Sequence, residues 1–314
     1  MDEPLRRVAA IAKRQLGAFS RQQAHEVGVT DRQLHTLCQR ACLEQLGPNA
    51  FRANGAPVGP RAELLGLLLD VGGDAVVSGP TAAALHGFDG FGLRPPFHVT
   101  IGRGRDVQRI GHIIHTTTAL PLIDRARVDG IPTTAPARTL IDLARSESPE
   151  RLTAAFDSGL RDGRFNETLV HRRIVDLRTR GRFGIPKLLA VIDGSEITRG
   201  GHSWLEREFL RLVATAELPR PETQVVLSRA RDRTVRVDFR FTGTPVVVEV
   251  LGYRFHRSKA EMQRDADRLR ALVLEGLAPL QFTYDDVVSS SSHVVSDLRR
   301  AFCVSDQTDA RPDR

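Results

Sequence analysis

The run Val246-Val247-Val248-Glu249-Val250-Leu251 constrains this chain more than any other stretch. Bounded by Gly243-Thr244-Pro245 and by Gly252, and rich in β-branched residues, it reads as a strand buried on both faces. An ionised carboxylate in its middle, Glu249, is expensive there unless a partner neutralises it. The preceding segment, Thr234 to Phe241, alternates strictly. Val235, Val237, Phe239 and Phe241 therefore point inward, while Asp238 shares the polar face with Arg236 and Arg240. A short turn between adjacent strands brings Asp238 and Glu249 together, and paired carboxylates repel unless a cation lies between them. A magnesium or manganese ion held by both would remove that penalty and supply a Lewis acid for phosphodiester hydrolysis.

The flanking segments extend this pair into a domain. In the helix that starts at Ser203, Phe209, Leu210 and Val213 follow Glu206 at helical spacing, which sets Glu206 on the buried stripe and points Glu208 toward solvent. Ser203 and Glu206 also fit a capping box, so two roles for Glu206 stay open. Ser258 with Glu261 opens a second helix that runs to Leu274 and ends at Gly276, and Leu280 to Tyr284 supplies another strand. Helix, strand, strand, helix, strand is an α/β core.

Over about residues 203–288 this order, with Glu206, Asp238, Glu249, Gly252, His256 and Asp265, resembles the restriction-endonuclease-like PD-(D/E)XK superfamily, specifically domains related to very-short-patch-repair endonucleases. The resemblance implies a metal-dependent DNA endonuclease in which Glu206, Asp238 and Glu249 hold magnesium or manganese and Asp238, Glu249 and His256 are catalytic. One position departs from the pattern. Two residues after Glu249 the superfamily carries lysine or another polar residue, and Leu251 cannot orient or deprotonate water. His256, whose unperturbed pKa is near neutrality, takes that role on this reading, with Lys259 as a second candidate. The alternative is a fold that persists without catalysis. Arg229, Arg231, Arg233, Arg236 and Arg240 crowd the approach to Asp238 and suit phosphate contacts, or else blunt an exposed strand edge.

The N-terminal segment has a different grammar. Leu5, Val8, Ile11, Ala12 and Leu16 recur at helical spacing with Gly17 as a stop. Ser20 caps a second helix through Val27, Gly28 makes a turn, and Thr30 caps a third helix from Asp31 to about Ala41. Two short helices about a glycine turn suggest helix-turn-helix, and Cys42 to Phe51 has the length of the hairpin of a winged variant. In a major groove the third helix would offer Arg32, Gln33, His35, Thr36, Gln39 and Arg40 to bases or phosphates. The competing reading is a small helical bundle that binds protein or nothing. His35, Cys38 and Cys42 would share a helical face, but no fourth zinc ligand is evident.

Residues 5–55 resemble the N-terminal winged-helix domain of AbiEi antitoxins. Two later stretches, Val76 to Gly87 and Gly130 to Ala144, resemble the middle region of the same family, each a strand entering a capped helix. Val99 and Ile101, then Ile113 and Ile114, supply strands between them. Ser78 lacks the flanking glycines of a nucleophile elbow, and His86 packs rather than catalyses.

At 314 residues the chain has room for two or three cores. The expected division is a winged helix-turn-helix over 1–58, an α+β AbiEi-like domain over 59–160, a basic connector over 161–202 that includes a helical stretch around Leu169 to Leu177, a restriction-endonuclease-like α/β domain over 203–302 and a disordered tail over 303–314. A formal charge of +7 favours a polyanionic partner, although lysine occurs only at 13, 187 and 259 and the arginine excess is also what a GC-rich genome produces. Leu64 to Val71 and Val246 to Leu251 are too short to cross a bilayer, the acidic start Met1-Asp2-Glu3-Pro4 does not resemble a secretory signal, and three cysteines give no disulfide framework. The expected protein is a cytoplasmic DNA binder without membrane contact, its protein partners unspecified by sequence. It is read as a magnesium-dependent endonuclease, with an AbiEi-type antitoxin or transcriptional regulator bearing an inactive nuclease fold as the alternative.

Overall fold

A computed structural model describes residues 3–178, 184–199, 204–228, 235–251 and 259–309, which fall into two compact units, Met1–Asn166 and Glu167–Arg314. Both mix helices with β-sheet, an α/β architecture in several layers.

The first unit opens with α1 (Glu3–Arg14), β1 (Ala18–Ser20), α2 (Arg21–Glu26), α3 (Asp31–Gln39) and the hairpin of β2 (Leu43–Gly47) and β3 (Ala50–Ala53). Strands β1, β3 and β2 form an antiparallel sheet in that order. Its core is Val8, Ala12, Phe19, Ala24, Val29, Leu34, Leu37, Leu43 and Phe51. Both expected caps are made: Ser20 accepts from the Gln23 amide and Thr30 from the Gln33 amide, and each glutamine returns the bond to its cap residue's N–H. Gly28 turns between α2 and α3 at φ +75°, a backbone conformation that favours glycine. Strand β1 was not legible in the sequence. It exists because Phe19, fully buried, stacks on Phe51 across the sheet at 5.9 Å.

Helix α4 (Pro60–Val71) packs against all three of these strands, with the Leu46 side chain filling the space over Gly66 and the Asp70 carboxylate accepting from the Asn49 amide at 2.6 Å. The expected boundary near residue 58 is thus bridged by packing. Beyond α4 lie β4 (Val76–Val77), α5 (Gly79–His86), β5 (His98–Gly102), β6 (Ile113–Thr117), β7 (Arg125–Val128), β8 (Ile131–Thr134), α6 (Pro136–Leu143) and α7 (Pro149–Arg161). The five strands are ordered β6-β5-β4-β8-β7, with β4 parallel to β8, β5 parallel to β6, and the other pairs antiparallel. As expected, β4 and β8 each run directly into a helix. Ser78 makes no cap bond; its hydroxyl accepts from Thr100 at 2.8 Å, while His86 bonds the Thr134 carbonyl at 2.7 Å. Arg138, buried on α6, is clamped between Asp124 at 2.8 Å and Asp142 at 2.9 Å.

The second unit contains α8 (Glu167–Leu177), α9 (Ile185–Arg199), α10 (Trp204–Thr215), β9 (Glu222–Ser228), β10 (Val235–Arg240), β11 (Val246–Leu251), α11 (Lys259–Leu274), β12 (Ala278–Thr283), α12 (Tyr284–Ser289) and α13 (Ser291–Asp309). Its sheet is ordered β12-β11-β10-β9, with β11 and β12 parallel across the α11 crossover and the remaining pairs antiparallel. The expected helix-strand-strand-helix-strand order is present, with β9 added outside β10.

Two expectations are corrected. The connector over 161–202 is helical beyond the expected stretch around Leu169 to Leu177, which is α8: α9 follows it, and Val170 and Ile174 of α8 and Leu188 and Ile192 of α9 are fully buried, so apolar periodicity outweighs the intervening arginines. The tail is not wholly without structure either, since α13 continues through 303 to Asp309. Among the described residues no helix is long and apolar enough to cross a membrane.

Candidate nucleic-acid interface and carboxylate cluster

On α3 the helical period decides which side chains are available. Leu34 and Leu37 are buried in the core, which turns Arg32, His35, Gln39 and Arg40 outward and leaves Gln33 and Thr36 half-buried. Of the expected nucleic-acid contacts, Arg32, His35 and Arg40 thus lie on one exposed surface. Gln33 is committed differently: its side-chain oxygen accepts from the Thr30 amide at 2.9 Å. The Thr36 hydroxyl donates to the Arg32 carbonyl at 2.9 Å, and His35 meets Gln39 ring-to-amide at 2.9 Å.

The start of α3 is fixed by a network that sequence reasoning did not find. Asp31 contacts the Arg21 guanidinium and lies 3.1 Å from His25 Nε2; the bond from Arg21, then that from His25, holds its carboxyl below the usual carboxylate range. Arg21 also donates to the Pro48 carbonyl at 2.8 Å and covers the Phe51 ring at 5.2 Å, tying α2, α3 and the β2–β3 turn together. Cys42 falls beyond the end of α3, so the face imagined for His35, Cys38 and Cys42 is not continuous helix.

In the second unit, Phe239 pairs with Val248 in the β10–β11 register, and continuing that register by one residue sets Asp238 opposite Glu249. The Asp238 carboxylate accepts from the Val250 amide at 3.0 Å. Burial pushes its carboxyl up; the Val250 bond opposes that, the charges of Glu206 and Glu249 add to it, and Arg268 opposes it more weakly. Glu206, half-buried on α10, accepts from Gln224 Nε2 at 2.9 Å. Glu208, expected to face solvent, is mostly covered and ion-pairs with Arg211.

Glu249 is 6% exposed behind the fully buried Val246 and Val248. Its Oε2 accepts from Gln281 Nε2 at 3.1 Å, from the neighbouring position on β12. Its Oε1 ion-pairs with Arg268 Nη2 at 2.5 Å and has no hydrogen-bond partner among the described residues. The three expected metal ligands therefore act on one locality, yet among the described residues no group of three or more histidine, cysteine, aspartate or glutamate side chains is disposed to hold a metal ion. The donor set present does not fit magnesium or manganese, because the most buried carboxylate already faces a cation from its own chain. Leu251 closes β11 beside Thr283 and brings no polar group to the cluster. His256 lies outside the described residues, as do Arg229, Arg231 and Arg233. Arg236 is exposed and Arg240 half-buried on the same side of β10 as Asp238.

A family model for the AbiEi antitoxin C-terminal domain matches residues 75–183, from β4 to beyond α8. Two proteins of Mycobacterium tuberculosis, uncharacterized proteins MT2308 of strain CDC 1551 / Oshkosh and Rv2248 of strain H37Rv, are each 30% identical over 243 residues, covering 76% of this chain and 86% of theirs. The crystal structure of the RV2827C protein from Mycobacterium tuberculosis aligns over 62% of this chain and 78% of its own at 13% identity and a TM-score of 0.42, too distant to carry an argument. With 30% identity across most of their length, this chain belongs to the family of the two mycobacterial proteins and carries an AbiEi-antitoxin-like domain over residues 75–183.

Proposed function

We propose that the protein is a DNA-binding regulator of the AbiEi antitoxin type, with a winged helix-turn-helix at its N-terminus and a nuclease-like C-terminal domain that does not hydrolyse DNA. The observation that carries the binding half is the exposed face of a doubly capped α3, where Arg32, His35 and Arg40 stand clear of the core. A helix held at its N-terminus by Thr30 and by the Arg21–Asp31 pair can enter a major groove without first being ordered there. The half-buried Thr36 and Gln33 border this surface, and Arg236 and Arg240 offer a second set of phosphate contacts. The pairing of Glu249 with Arg268 and the leucine at 251 support the absence of hydrolysis.

Fluorescence anisotropy of the full chain on duplex DNA across a salt series tests this reading. Affinity should fall steeply with salt, and Arg32→Ala or Arg40→Ala should each reduce the log–log slope by about one. No binding at low salt by a folded chain would sink the proposal. The second reading, magnesium-dependent cleavage with Glu206, Asp238 and Glu249 as ligands and His256 handling a proton, draws on the electrostatic coupling of the three carboxylates. It would be adopted if magnesium made the protein nick plasmid and Glu249→Ala abolished the nicking.

A further inference from the structure

We propose that the recess between α10 and α13 is a binding site for a small amphipathic anion: an apolar body lying between the two helices, with a carboxylate, sulfonate or phosphate head at Arg299 and Arg300. The recess lies within the second unit and uses none of the residues assigned to DNA or to the carboxylate cluster.

The recess follows from the sequences of the two helices. Phe209 and Val213 of α10 and Val294 and Leu298 of α13 are buried, and these positions hold the packed helices to the core. Alongside them Ser292, Val295, Ser296, Arg299 and Cys303 recur at three- and four-residue spacing, which places them along one face of α13. Across from that face stand Leu212 of α10 and Ala216 just past its end. The small serines and the alanine leave a gap of about 710 Å3, inside the roughly 300–1,000 Å3 that small-molecule sites span. Leu212 and Val295 are half-buried, whereas Ser292, Ser296, Arg299, Arg300 and Cys303 are exposed, so an apolar floor lies under a polar opening.

The charge of the opening selects the ligand. Two guanidinium groups line it and, among the described residues, no carboxylate does. Arg299 Nη2 donates to the Ala216 carbonyl at 3.3 Å, which draws the side chain from α13 toward the end of α10. Arg300 reaches Asp297 only at 3.8 Å, beyond hydrogen-bond length, with its side chain 81% exposed, and an ion pair of that kind contributes little. Each guanidinium has five N–H donors, so both retain donors for an oxyanion, and Ser292 and Ser296 add hydroxyls. A DNA backbone would meet the arginines but leave the apolar floor unfilled. Residues 310–314, with two arginines to one aspartate, repeat the charge of the opening and do not complement it. A discrete molecule with an anionic head on an apolar body satisfies both halves.

Anilinonaphthalene sulfonate is the probe, used on the full chain, and Cys303 is the reporter because it lines the recess and is exposed. The probe should bind saturably and, at about ten times its Kd, slow alkylation of Cys303 by iodoacetamide about tenfold, read by peptide mass spectrometry. Cys38 and Cys42, in the first unit, should react as they do without it. Arg300→Gln and Arg299→Gln should each weaken the probe about fivefold. Phenylnaphthylamine, the same body without its sulfonate, should bind both variants as it binds the wild type. Ser296→Leu, which fills the recess from an exposed helical position, should abolish protection by either molecule, and Ser292→Leu provides a second block. Unprotected Cys303 under saturating probe would overturn the proposal, as would a slowing shared by Cys38 and Cys42, or arginine variants that hold the sulfonate as tightly as the wild type. If duplex DNA protected Cys303 and the probe did not, the arginines would be phosphate contacts and the proposal would fall. None of the supporting readouts requires DNA, so failure of the regulator reading would leave this site standing.

Discussion

Replacing His171 with asparagine should flatten the acid side of the stability curve of the second unit. His171 lies on α8 at 2% exposure, its ring stacked 3.7 Å from Trp204 and its Nδ1 2.8 Å from the Tyr284 hydroxyl. Nε2 is buried with no hydrogen-bond partner among the described residues. Burial first, and then the charge of Arg207, push its pKa down to about 3. The folded histidine is therefore neutral, while the unfolded one takes a proton below about pH 6.5. Because the folded value is the lower, stability is complete above the unfolded pKa and is lost as pH falls toward the folded one. Each pH unit in that window removes about 1.4 kcal/mol, so about 2 kcal/mol is gone at pH 5. Trp204 is the only tryptophan, and its fluorescence reports the unfolding of this unit in urea. The midpoint should drop by roughly 1 M between pH 8 and pH 5 on account of His171. Burial also lowers the pKa values of His86, His98, His112 and His115 in the first unit, so the wild-type curve contains other linkages. Comparison with His171→Asn isolates this one, because asparagine retains a partner for Tyr284 but does not titrate. A variant whose midpoint falls with pH as steeply as the wild type's would refute the reasoning.

Three further outcomes follow from individual contacts. Arg138→Met leaves the fully buried Asp124 without its guanidinium and should cost about 3–5 kcal/mol, read from hydrogen exchange of the β8 amides; a loss below about 1 kcal/mol would show that the pair is not what holds α6 to the sheet. Thr30→Ala removes one side of the capping box and should cost about 1 kcal/mol in urea unfolding followed by circular dichroism, with DNA affinity falling in parallel. Asp238→Asn should raise Tm at pH 8, because the folded state raises the pKa of this carboxyl and so disfavours its anion; the gain should fade as pH falls through the folded pKa toward the unfolded value near 4, and a gain that persisted there would argue for a steric cause.

What was legible in the sequence was whatever local pattern sets. Ser20 and Thr30 stand just before apolar-periodic segments and cap the helices that follow, and the alternation from Val235 to Phe241 gives β10 with Val237 and Phe239 buried. The partners of long-range contacts were not legible. Phe19 looks like part of a loop until Phe51 arrives across the sheet, and no local pattern among the arginines and glycines after Leu177 announces α9, which Leu188 and Ile192 bury. Gln33 was read as a groove contact because the same polar side chain serves equally at position N3 of a capping box, and only the Thr30 bond distinguishes the two.

The carboxylate cluster shows why such limits bear on function. Local sequence states the burden, since a glutamate among valines must be neutralised, and it offers Asp238, two residues before the end of the facing strand, as a co-ligand. It does not state which cation answers. That depends on which residue of α11 returns over the strands, and this is set by the parallel register that places Glu249 beside Gln281. Arg268 sits one helical turn beyond Asp265, the α11 position that carried the nuclease resemblance, so the two share a face of the helix. A metal ion and an arginine satisfy the same electrostatic requirement, but only the metal supplies an exchangeable coordination position for a reacting phosphate. A guanidinium tethered by its own helix, by contrast, supplies charge without such a position. The same acidic pattern therefore supports opposite functional readings, and the third element that decides between them lies on a helix whose approach to the sheet no local pattern fixes.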